Sequence, residues 1–580
     1  MRSPVLVLGF ALLLLLVPAA RAGDADVVTQ LYDVGPLLQP DRPPEIQVLG
    51  LPTAGLALRQ TEDDEEEPAA FLEGEALLEL VHAAVPGGWD EDERTLLQLE
   101  GRQLIVRAGA EAHEGVAGLL GELWTEATRR IRVDGIRLVY DAGGRERLAQ
   151  DGLLAALRAG RADAKTRDAL VSAASESSSA AAVVRPGSAA TLGRLRATSY
   201  VSDYAVEIAQ DSVVGDPVIR TVNTGWFVGA TPHLLQEGDV YLEVLAQAAD
   251  LHEPMRRQPL EATPFGTVDL PTCRTLRLHD AARLRAGESL ILGSIPRYAE
   301  GRLEVLVLTP TVRGGRALRR GLRRWDVSAL TAMPPRWTLT HAVPNVRGVV
   351  NAGSLNPPSL ERLEAAEPVT SVDGLVEAVT TSLGDEAWEG IGVWLAPWGR
   401  AVMARNEPGV LVTIERHIAE RERVLGHESA VIRLLAEQTD GSEPLASATL
   451  ALPHGRSVVW QAGVERAYVA DWSVEVAQEA RTGEPQIATV FGGLAFEARL
   501  DPAPVADRFA LTLDLHWADL DEHMESRRTH NECTGIVDIP RIERLDVHGD
   551  LVIARGETQR FDAGTLADGR RLVVEVSLGR

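Results

Sequence analysis

Apolar and polar residues alternate along several short stretches of the chain, and this period of two predicts β-strands. In FALTLDLHW, one predicted face carries Phe509, Leu511, Leu513, Leu515 and Trp517, while smaller or polar residues occupy the other face. Further strands are predicted at VYLEVLAQ, LRLHD, SLILGSI and RLEVLVL, with Gly, Pro and Asp between strands. Short strands with such separators are typical of an antiparallel β-module.

Other segments place their apolar residues at helical spacing. In ALLELVHAAV, the residues Leu77, Leu78, Val81 and Val85 share one side of a predicted helix. A predicted hairpin, LLQLEGRQLIVRA, and a second helix, VAGLLGELWTEA, follow it. With TQLYDV as the first strand and IRLVY as the closing one, the predicted order is β-α-β-β-α. The same order is predicted again for TLTHAV, GLVEAVTTSL, VWLAPWGRAVMAR, VTIERHIAERERVL and IRLLA.

The sequence also repeats itself directly. YVSDYAVEIAQ begins at Tyr200, and YVADWSVEVAQ begins 268 residues later at Tyr468. After an insertion of one residue the offset becomes 269. The matched pairs include Gly187 with Gly455, Pro217 with Pro485, Gly266 with Gly535, His279 with His548, and Gly287 with Gly556. Glycine and proline mark turns, so matched glycines and prolines predict matched topology and a tandem duplication.

These patterns predict an α+β fold made of two copies of a β-α-β-β-α domain, each followed by an antiparallel β-rich domain. An Ala/Ser-rich stretch, LVSAASESSSAAAVV, is predicted to be a mobile linker. The predicted segments are a signal peptide at 1–22, an α/β domain at 23–145, the linker at 146–195, a β domain at 196–315, a second α/β domain at 325–440 and a second β domain at 441–580.

The N-terminal segment predicts export. Arg2 precedes an apolar stretch from Val5 to Val17, and Ala20-Arg21-Ala22 is a small-x-small cleavage site. That stretch is too short for a membrane helix, and no later stretch approaches the ~20 apolar residues that such a helix needs. The formal net charge of −26 and the absence of a basic cluster argue against a nucleic acid partner.

The sequence contains no recognisable catalytic motif, and we expect neither an enzyme nor a cofactor. Three His-Glu dipeptides begin at His113, His252 and His427, but none continues as a zinc-protease helix, and no G-x-S-x-G or Walker motif is present. The stretch HMESRRTHNEC holds four candidate metal ligands, which we interpret as residues of an exposed loop because their spacing does not define a zinc site. These four are His523, Glu525, His530 and Cys533.

Several matched polar residues have structural interpretations. We interpret His279 and His548 as packing or turn residues, because no acid or nucleophile accompanies them in the motif. Polar positions on half-buried strands are expected for the matched pairs Asp203 and Asp471, Glu207 and Glu475. No catalytic, cofactor-binding or metal-binding residue is therefore predicted.

Taken in order, the segments TQLYDVGPLL, GRQLIV and YVSDYAVEIAQDSVVGDPVIRTVNTGWFVGATPHLLQEGDVYLEV resemble secretin-like proteins of bacterial type II and type III secretion systems. VDLPTCRTLRLHDAARLRAGESLILGSI and LEVLVLTPTV are similar to parts of the secretin β-domain. The chain departs from the channel-forming pattern in two places. Ile295-Pro296 is the only echo of the Pro- and Gly-rich run before the closing strand, and the second copy closes on VSLGR without Thr-Pro.

The resemblance implies a non-enzymatic structural or transport component of the bacterial envelope, periplasmic or associated with the outer membrane. It also implies assembly through the α/β domains, by self-association or with envelope proteins, and no small-molecule substrate. The alternative is an exported binding module that keeps the secretin-like fold without forming a channel. Oligomeric state, partner and membrane insertion stay open at this point.

The two cysteines, Cys273 and Cys533, occupy positions that the repeat does not match. Export places them in a compartment where disulfides persist. Because nothing in the sequence requires the two strand entrances to pack together, we expect two separate thiols rather than a bridge.

Overall fold

The computed structural model of the protein describes residues 27–38, 49–51, 72–89, 94–209, 212–260, 266–296, 302–314, 322–331, 336–340, 359–363, 370–389, 393–398, 400–438, 441–477, 480–503, 507–521, 523–528, 535–566 and 569–579. The chain divides into two compact units. The first holds the described residues up to Gln39 and from Leu72 to Leu123, and the second holds the others. The signal peptide predicted at 1–22 lies outside the described residues.

The first unit is a small α/β layer. Its elements are β1 (Val28–Asp33), α1 (Gly35–Leu38), α2 (Gly74–Ala84), β2 (Leu96–Glu100), β3 (Gln103–Ala108) and α3 (Ala110–Ala127), of which α3 ends beyond the unit. The strands form an antiparallel sheet in the order β1-β3-β2. Leu77 and Val81 of α2 are buried, as are Leu104 and Val106 of β3. Gly101 makes the β2–β3 turn with a φ of +57°, which glycine adopts without steric cost.

The second unit contains the remaining elements. Its described helices are α4 (Ala142–Gln150), α5 (Leu154–Ala159), α6 (Ala164–Ala173), α7 (Ser328–Thr331), α8 (Val372–Leu383) and α9 (Pro408–Glu422). Its first described strands are β4 (Arg130–Tyr140), β5 (Arg161–Ala162), β6 (Glu176–Val184), β7 (Ala190–Ala209), β8 (Ser212–Leu234), β9 (Val240–Leu251), β10 (Arg256–Pro259), β11 (Thr267–Leu270), β12 (Thr272–Leu284), β13 (Ser289–Pro296) and β14 (Leu303–Arg313).

The later described strands of this unit are β15 (Leu322–Asp326), β16 (Arg336–Thr340), β17 (Ser359–Leu363), β18 (Trp394–Trp398), β19 (Ala401–Arg405), β20 (His427–Gln438), β21 (Gly441–Pro453), β22 (Ser457–Ala477), β23 (Ala480–Pro502), β24 (Arg508–Leu520), β25 (Glu525–Arg528), β26 (Ile536–Ile539), β27 (Ile542–Ala554), β28 (Thr558–Thr565) and β29 (Arg571–Leu578). The fold is thus α+β and mostly antiparallel sheet, as the sequence predicts.

An eight-stranded antiparallel sheet combines two runs of four strands. The first run is β7-β8-β9-β12, the second is β22-β23-β24-β27, and the runs meet where β12 pairs with β22. The two runs have the same strand register, because residues paired in the first run correspond, at the offsets of 268 and 269, to residues paired in the second. Gly225 lies opposite Ala249 in the β8–β9 pair, and Gly493 lies opposite Ala518 in the β23–β24 pair. Strands β7 and β27 form the two edges.

A second large sheet has the order β28-β29-β20-β21-β13-β14-β4-β6, with β5 added beside β13. Apolar side chains of the two large sheets pack together in one core, which includes Trp226 and Leu278 from the first sheet and Leu306 and Ile432 from the second. The predicted apolar face of β24 is part of this core, since its alternate residues from Phe509 to Trp517 are all buried. Burial of each such side chain stabilises the fold by roughly 1.5–3 kcal/mol.

A smaller sheet, β15-β19-β18, packs with α8 and α9 through Trp325, Leu375, Val402 and Ile414. Its first strand is LRRWD, not the predicted TLTHAV. The first three residues of TLTHAV lie in β16, and β16 pairs with β17 rather than with the β15-β19-β18 sheet. The predicted closing strands IRLVY and IRLLA also lie elsewhere, in β4 and β20 of the second large sheet. The apolar residues of IRLLA face the core between the large sheets, whereas Leu138 and Tyr140 of IRLVY pack with α4, α5 and α6.

The prediction of a mobile linker at 146–195 is wrong. This segment forms α5, α6 and β6 together with parts of α4 and β7, and β6 pairs with β4 along nine residue positions. The small side chains have a packing role there. Ala180 and Ala182 lie against the core, and the indole Nε1 of Trp226 donates a hydrogen bond of 2.7 Å to Ser178 Oγ. The Ala/Ser-rich strand therefore packs on the core, and Ser178 satisfies the indole N–H of a buried tryptophan.

Candidate functional site

The repeated stretch of sequence forms the same irregularity in two strands. The β7–β8 register shifts between Val201 and Asp203, and the β22–β23 register shifts between Val469 and Asp471. Such a shift is a β-bulge, which leaves backbone groups to be satisfied outside the ladder. The Val201 N–H donates to Asp269 Oδ2 at 3.0 Å, and the Val469 N–H donates to Asp538 Oδ2 at 3.3 Å.

The aromatic residue after each bulge holds the neighbouring hairpin. The Tyr204 hydroxyl donates to the Thr267 carbonyl at 3.4 Å, and the Trp472 Nε1 donates to the Ile536 carbonyl at 3.1 Å. Burial raises the pKa of Asp203 to about 6. These contacts assign the repeated residues to the architecture of the hairpins rather than to a reaction.

The other repeated acids lie on the same hairpins. Glu207 is on β7 opposite Val214, and Glu475 is on β22 opposite Thr482.

The junction of the two four-strand runs contains a buried ion pair. Arg277 of β12 and Glu465 of β22 approach to 2.5 Å between Nη1 and Oε1, and their side chains are 2% and 0% exposed. A buried pair needs further hydrogen bonds to offset the loss of hydration. The pattern of apolar residues does not reveal this pair, because it is a charged position inside an otherwise apolar region.

Residues 49–51 supply those further hydrogen bonds. Arg277 Nη2 donates to the Leu49 carbonyl at 2.8 Å, and the Leu51 N–H donates to Glu465 Oε2 at 3.1 Å. Gly50, with a φ of +98°, forms a β-bridge with Asn223. A Cβ on this glycine would lie 2.7 Å from Glu465 Oε2, so the close approach also requires glycine.

The second large sheet has a corresponding junction. There β21 pairs with β13, with Gly293 opposite Thr449 and Pro296 opposite Ala446. Both large sheets therefore continue across the boundary between the earlier and the later strands.

A second buried polar cluster lies where α7 meets β8, β9 and β22. His233 Nδ1 and Ser328 Oγ are 2.7 Å apart, and Arg456 Nη1 donates to Glu243 Oε1 at 2.5 Å. Burial raises the pKa of Glu243, but contacts with His233 and Arg456 outweigh that effect and hold it at about 2. Ser328 and His233 are each 1% exposed, so this serine and histidine are closed to a substrate.

His279 and His548, which the repeat matches, have different environments. His279 is buried, and burial lowers its pKa to about 4. His548 is exposed, and its hydrogen bond to Asp514 raises its pKa. Neither histidine lies beside a nucleophile among the described contacts.

The candidate metal ligands do not form a described site. Glu525 accepts hydrogen bonds from Arg527 and Arg541 at 2.8 and 2.9 Å, whereas His530 and Cys533 lie outside the described residues. Nowhere in the part of the chain that the structure describes do three His, Cys, Asp or Glu side chains form a metal-binding group. Cys273 is a buried free thiol whose pKa is raised by burial.

None of the described helices is long and apolar enough to span a membrane. No protein-family profile matches the chain. No curated protein sequence matches it at the level of significance required.

Some solved structures are similar to the chain. One is the InvG secretin domain β-barrel of the Salmonella SPI-1 injectisome, with 9% identity over 50% of this chain and 90% of that chain and a TM-score of 0.23. Another is a chain of the Klebsiella pneumoniae type II secretion system outer membrane complex, with 10% identity, 41% and 49% coverage and a TM-score of 0.22. This chain thus spans about half of the Klebsiella chain.

A third similar structure is the V. cholerae type IV competence pilus secretin PilQ, with 10% identity over 32% of this chain and 68% of that chain and a TM-score of 0.17. Such identities and TM-scores are too low to carry an argument about function.

Proposed function

We propose that the chain is a tandem duplication and that its two copies occupy neighbouring places in a secretin-like assembly of the bacterial envelope. In this proposal, chains join end to end through their free strand edges. The observation that carries the proposal is the junction inside the chain, where both large sheets pass from one copy to the other by antiparallel strand pairing.

The eight-stranded sheet supports this reading. Within this sheet, β12 is the last strand of the first four-strand run and pairs with β22, the first strand of the second run. By the sequence offsets, β27 corresponds to β12 and β7 corresponds to β22. These two strands are the edges of the sheet. The β27 edge of one chain could therefore pair with the β7 edge of the next, as β12 pairs with β22 within the chain.

The second large sheet supports the same joint. Its internal junction pairs β21 with β13, and its edges are β28 and β6. By the sequence offset, β28 corresponds to β13. β6 corresponds to β21, because β6 precedes the β7–β8 hairpin as β21 precedes the β22–β23 hairpin. The edges β6 and β7 contact each other, as do β27 and β28. A second chain would therefore extend both sheets at one joint, and repetition of a head-to-tail joint gives a ring or a filament.

The side chains at the edges fit this joint. The register of the β12–β22 pair, carried over by the offsets, places Glu543 opposite Arg196 and Val547 opposite Leu192. Opposite charges and apolar pairs directly across two strands stabilise pairing by roughly 0.2–1 kcal/mol each. Two large apolar residues on the edge strands, Leu195 and Val552, are 43% and 58% exposed.

The function proposed is structural or transport-related, without catalysis, a cofactor or a resident metal. The predicted signal peptide and the resemblance of the sequence to secretin-like proteins support export and a place in the periplasm or at the outer membrane. Assembly through the α/β domains stays a prediction from that resemblance, whereas the strand edges are argued from described contacts.

Size-exclusion chromatography with light scattering on the mature protein tests the proposal. We expect an assembly of several chains. We also expect Arg196→Glu and Glu543→Arg to weaken it singly and to restore it when combined. A monomer at every concentration would overturn end-to-end assembly and favour the exported binding module.

A further inference from the structure

A small cavity of about 280 Å³ in the second unit is rich in positive charge. Arg161 of β5, Arg283 and Arg285 at the end of β12, and His427 at the start of β20 line it, together with Asp239 and Gly426. Three guanidinium groups in one cavity are unexpected in a chain with a formal net charge of −26.

The described ion pairs involve two of the three arginines. Arg283 Nε lies 2.9 Å from Asp239 Oδ2, and Arg161 Nη1 lies 3.7 Å from Glu288 Oε1. Arg285 forms no ion pair with the residues that the structure describes. Arg285 is thus the guanidinium group of the cavity that lacks a carboxylate partner among the described residues.

Each ring nitrogen of His427 lies beside a hydrogen-bond donor. Its Nδ1 lies 3.2 Å from the Arg283 N–H, and its Nε2 contacts Arg161 Nη2. Burial and nearby Arg161 hold the pKa of His427 well below its usual value, so the ring is neutral and carries one N–H. A neutral ring can accept a hydrogen bond at only one nitrogen. The other nitrogen carries a proton and therefore faces a second donor, either the Arg283 N–H or Arg161 Nη2.

Arg161 is also short of acceptors. Its Nε is buried and has no hydrogen-bond partner in the described part of the chain. Buried donors of this kind normally have an acceptor from protein, water or a bound ion.

We propose that this cavity binds a phosphate group. Phosphate oxygens accept several hydrogen bonds at once, and arginine binds them in a forked geometry. When the Arg161 side chain moves away from the ring, one phosphate oxygen can accept hydrogen bonds from both Arg161 and the His427 Nε2–H, and Arg285 adds a guanidinium group without a described ion-pair partner. The group could come from free phosphate or from a phosphorylated glycerol headgroup.

Calorimetric titration of the mature protein with inorganic phosphate, and separately with glycerol 3-phosphate, tests the site at constant ionic strength. We expect saturable binding that Arg161→Gln and Arg285→Gln each weaken by about tenfold or more. Arg313→Gln, which alters an exposed arginine outside the cavity, serves as the control with less than about twofold change. Arg285 is exposed, so its variant keeps the fold if Arg161→Gln does not.

The outcomes separate clearly. Tighter binding of glycerol 3-phosphate than of inorganic phosphate assigns the headgroup as the source, and the reverse assigns free phosphate. Absence of saturable binding, or binding that neither cavity variant weakens, overturns the site and leaves water in the cavity. The oligomeric state does not enter this readout, so the test is independent of the proposed assembly.

Discussion

The junction inside the chain and the outer edges of the large sheets have corresponding strands but differ in side chains. At the junction, Arg277 and Glu465 form a buried ion pair. The corresponding positions at the edges are Asp546 and Ala197. Asp546 is about half exposed and pairs with His516 at 2.6 Å. Backbone pairing can thus be common to both joints, while the buried ion pair belongs to the internal one.

This difference indicates that the internal joint is the more stable of the two. Breaking a buried ion pair leaves an uncompensated charge, which is far more costly than the loss of an exposed pair. Residues 49–51 add hydrogen bonds to the same pair. We infer that the internal joint stays closed whenever the chain is folded, whereas the proposed joint between chains should respond to concentration and salt.

The largest expected effect is the loss of one partner at the internal joint. Glu465→Ala leaves Arg277 buried without its counter-charge, and we expect a loss of about 3–5 kcal/mol in the free energy of unfolding, measured by urea denaturation. The double variant Arg277→Met, Glu465→Leu removes both charges and should lose much less. A Glu465→Ala loss below about 1 kcal/mol would show that the pair does not hold the joint.

Gly50→Ala should weaken the same joint by about 2–3 kcal/mol, since the added Cβ meets Glu465 and the φ of +98° is strained for alanine. Gly238→Ala is the matched control, because Gly238 also has a positive φ, +82°, but open space around it. The free energies of unfolding of the two variants give the comparison. Equal losses would mean that the close approach of Gly50 contributes nothing.

Glu422 of α9 should make the free energy of unfolding depend on pH. Its Oε2 accepts a hydrogen bond from the Gln236 N–H at 3.1 Å, and burial raises its pKa to about 7. A raised pKa in the folded state means that this contribution to stability is complete below about pH 4.5 and is lost as pH rises through about 7. We therefore expect Glu422→Gln to be more stable than the parent by about 3 kcal/mol at pH 8 and similar to it at pH 4.5.

Urea denaturation of Glu422→Gln and the parent at both pH values measures that difference. A constant difference between the two proteins from pH 4.5 to pH 8 would contradict the role given to burial of Glu422.

The smallest effect concerns the matched histidines. His548 should titrate above the ordinary histidine pKa because Asp514 accepts its hydrogen bond, and Asp514→Asn should lower that value. His279, with a pKa of about 4, should stay neutral across the same pH range. Proton NMR titration of the two imidazoles measures this contrast. Indistinguishable titration curves for the two imidazoles would contradict the predicted difference in their pKa values.

The sequence predicts the strands well and their partners less well. Alternation identifies β24 because its apolar residues face one core. It cannot assign IRLVY to a sheet, because the closing strand of a small sheet and a strand of a large sheet have the same apolar pattern. The Ala/Ser-rich stretch predicts a linker because small residues are common in linkers, whereas in the structure it contains a strand whose Ser178 accepts a hydrogen bond from Trp226.

The polar contacts were the least predictable part. Arg277 and Glu465 are 188 residues apart in sequence, and nothing local marks either as buried. The same holds for His233 and Ser328, which meet only through tertiary packing. The repeated bulge was detectable as repetition, but its hydrogen bonds to Asp269 and Asp538 required the structure.

The joint between chains can be tested most directly by disulfide formation between two single variants, in a background with Cys273 and Cys533 replaced. The proposed register places Leu192 of one chain opposite Val547 of the next, so mixed Leu192→Cys and Val547→Cys proteins should form a covalent dimer under mild oxidation. Thr191→Cys, on the other face of the strand, should not pair with Val547→Cys. A failure of the first pair to cross-link, or equal cross-linking by both pairs, would contradict end-to-end assembly in this register.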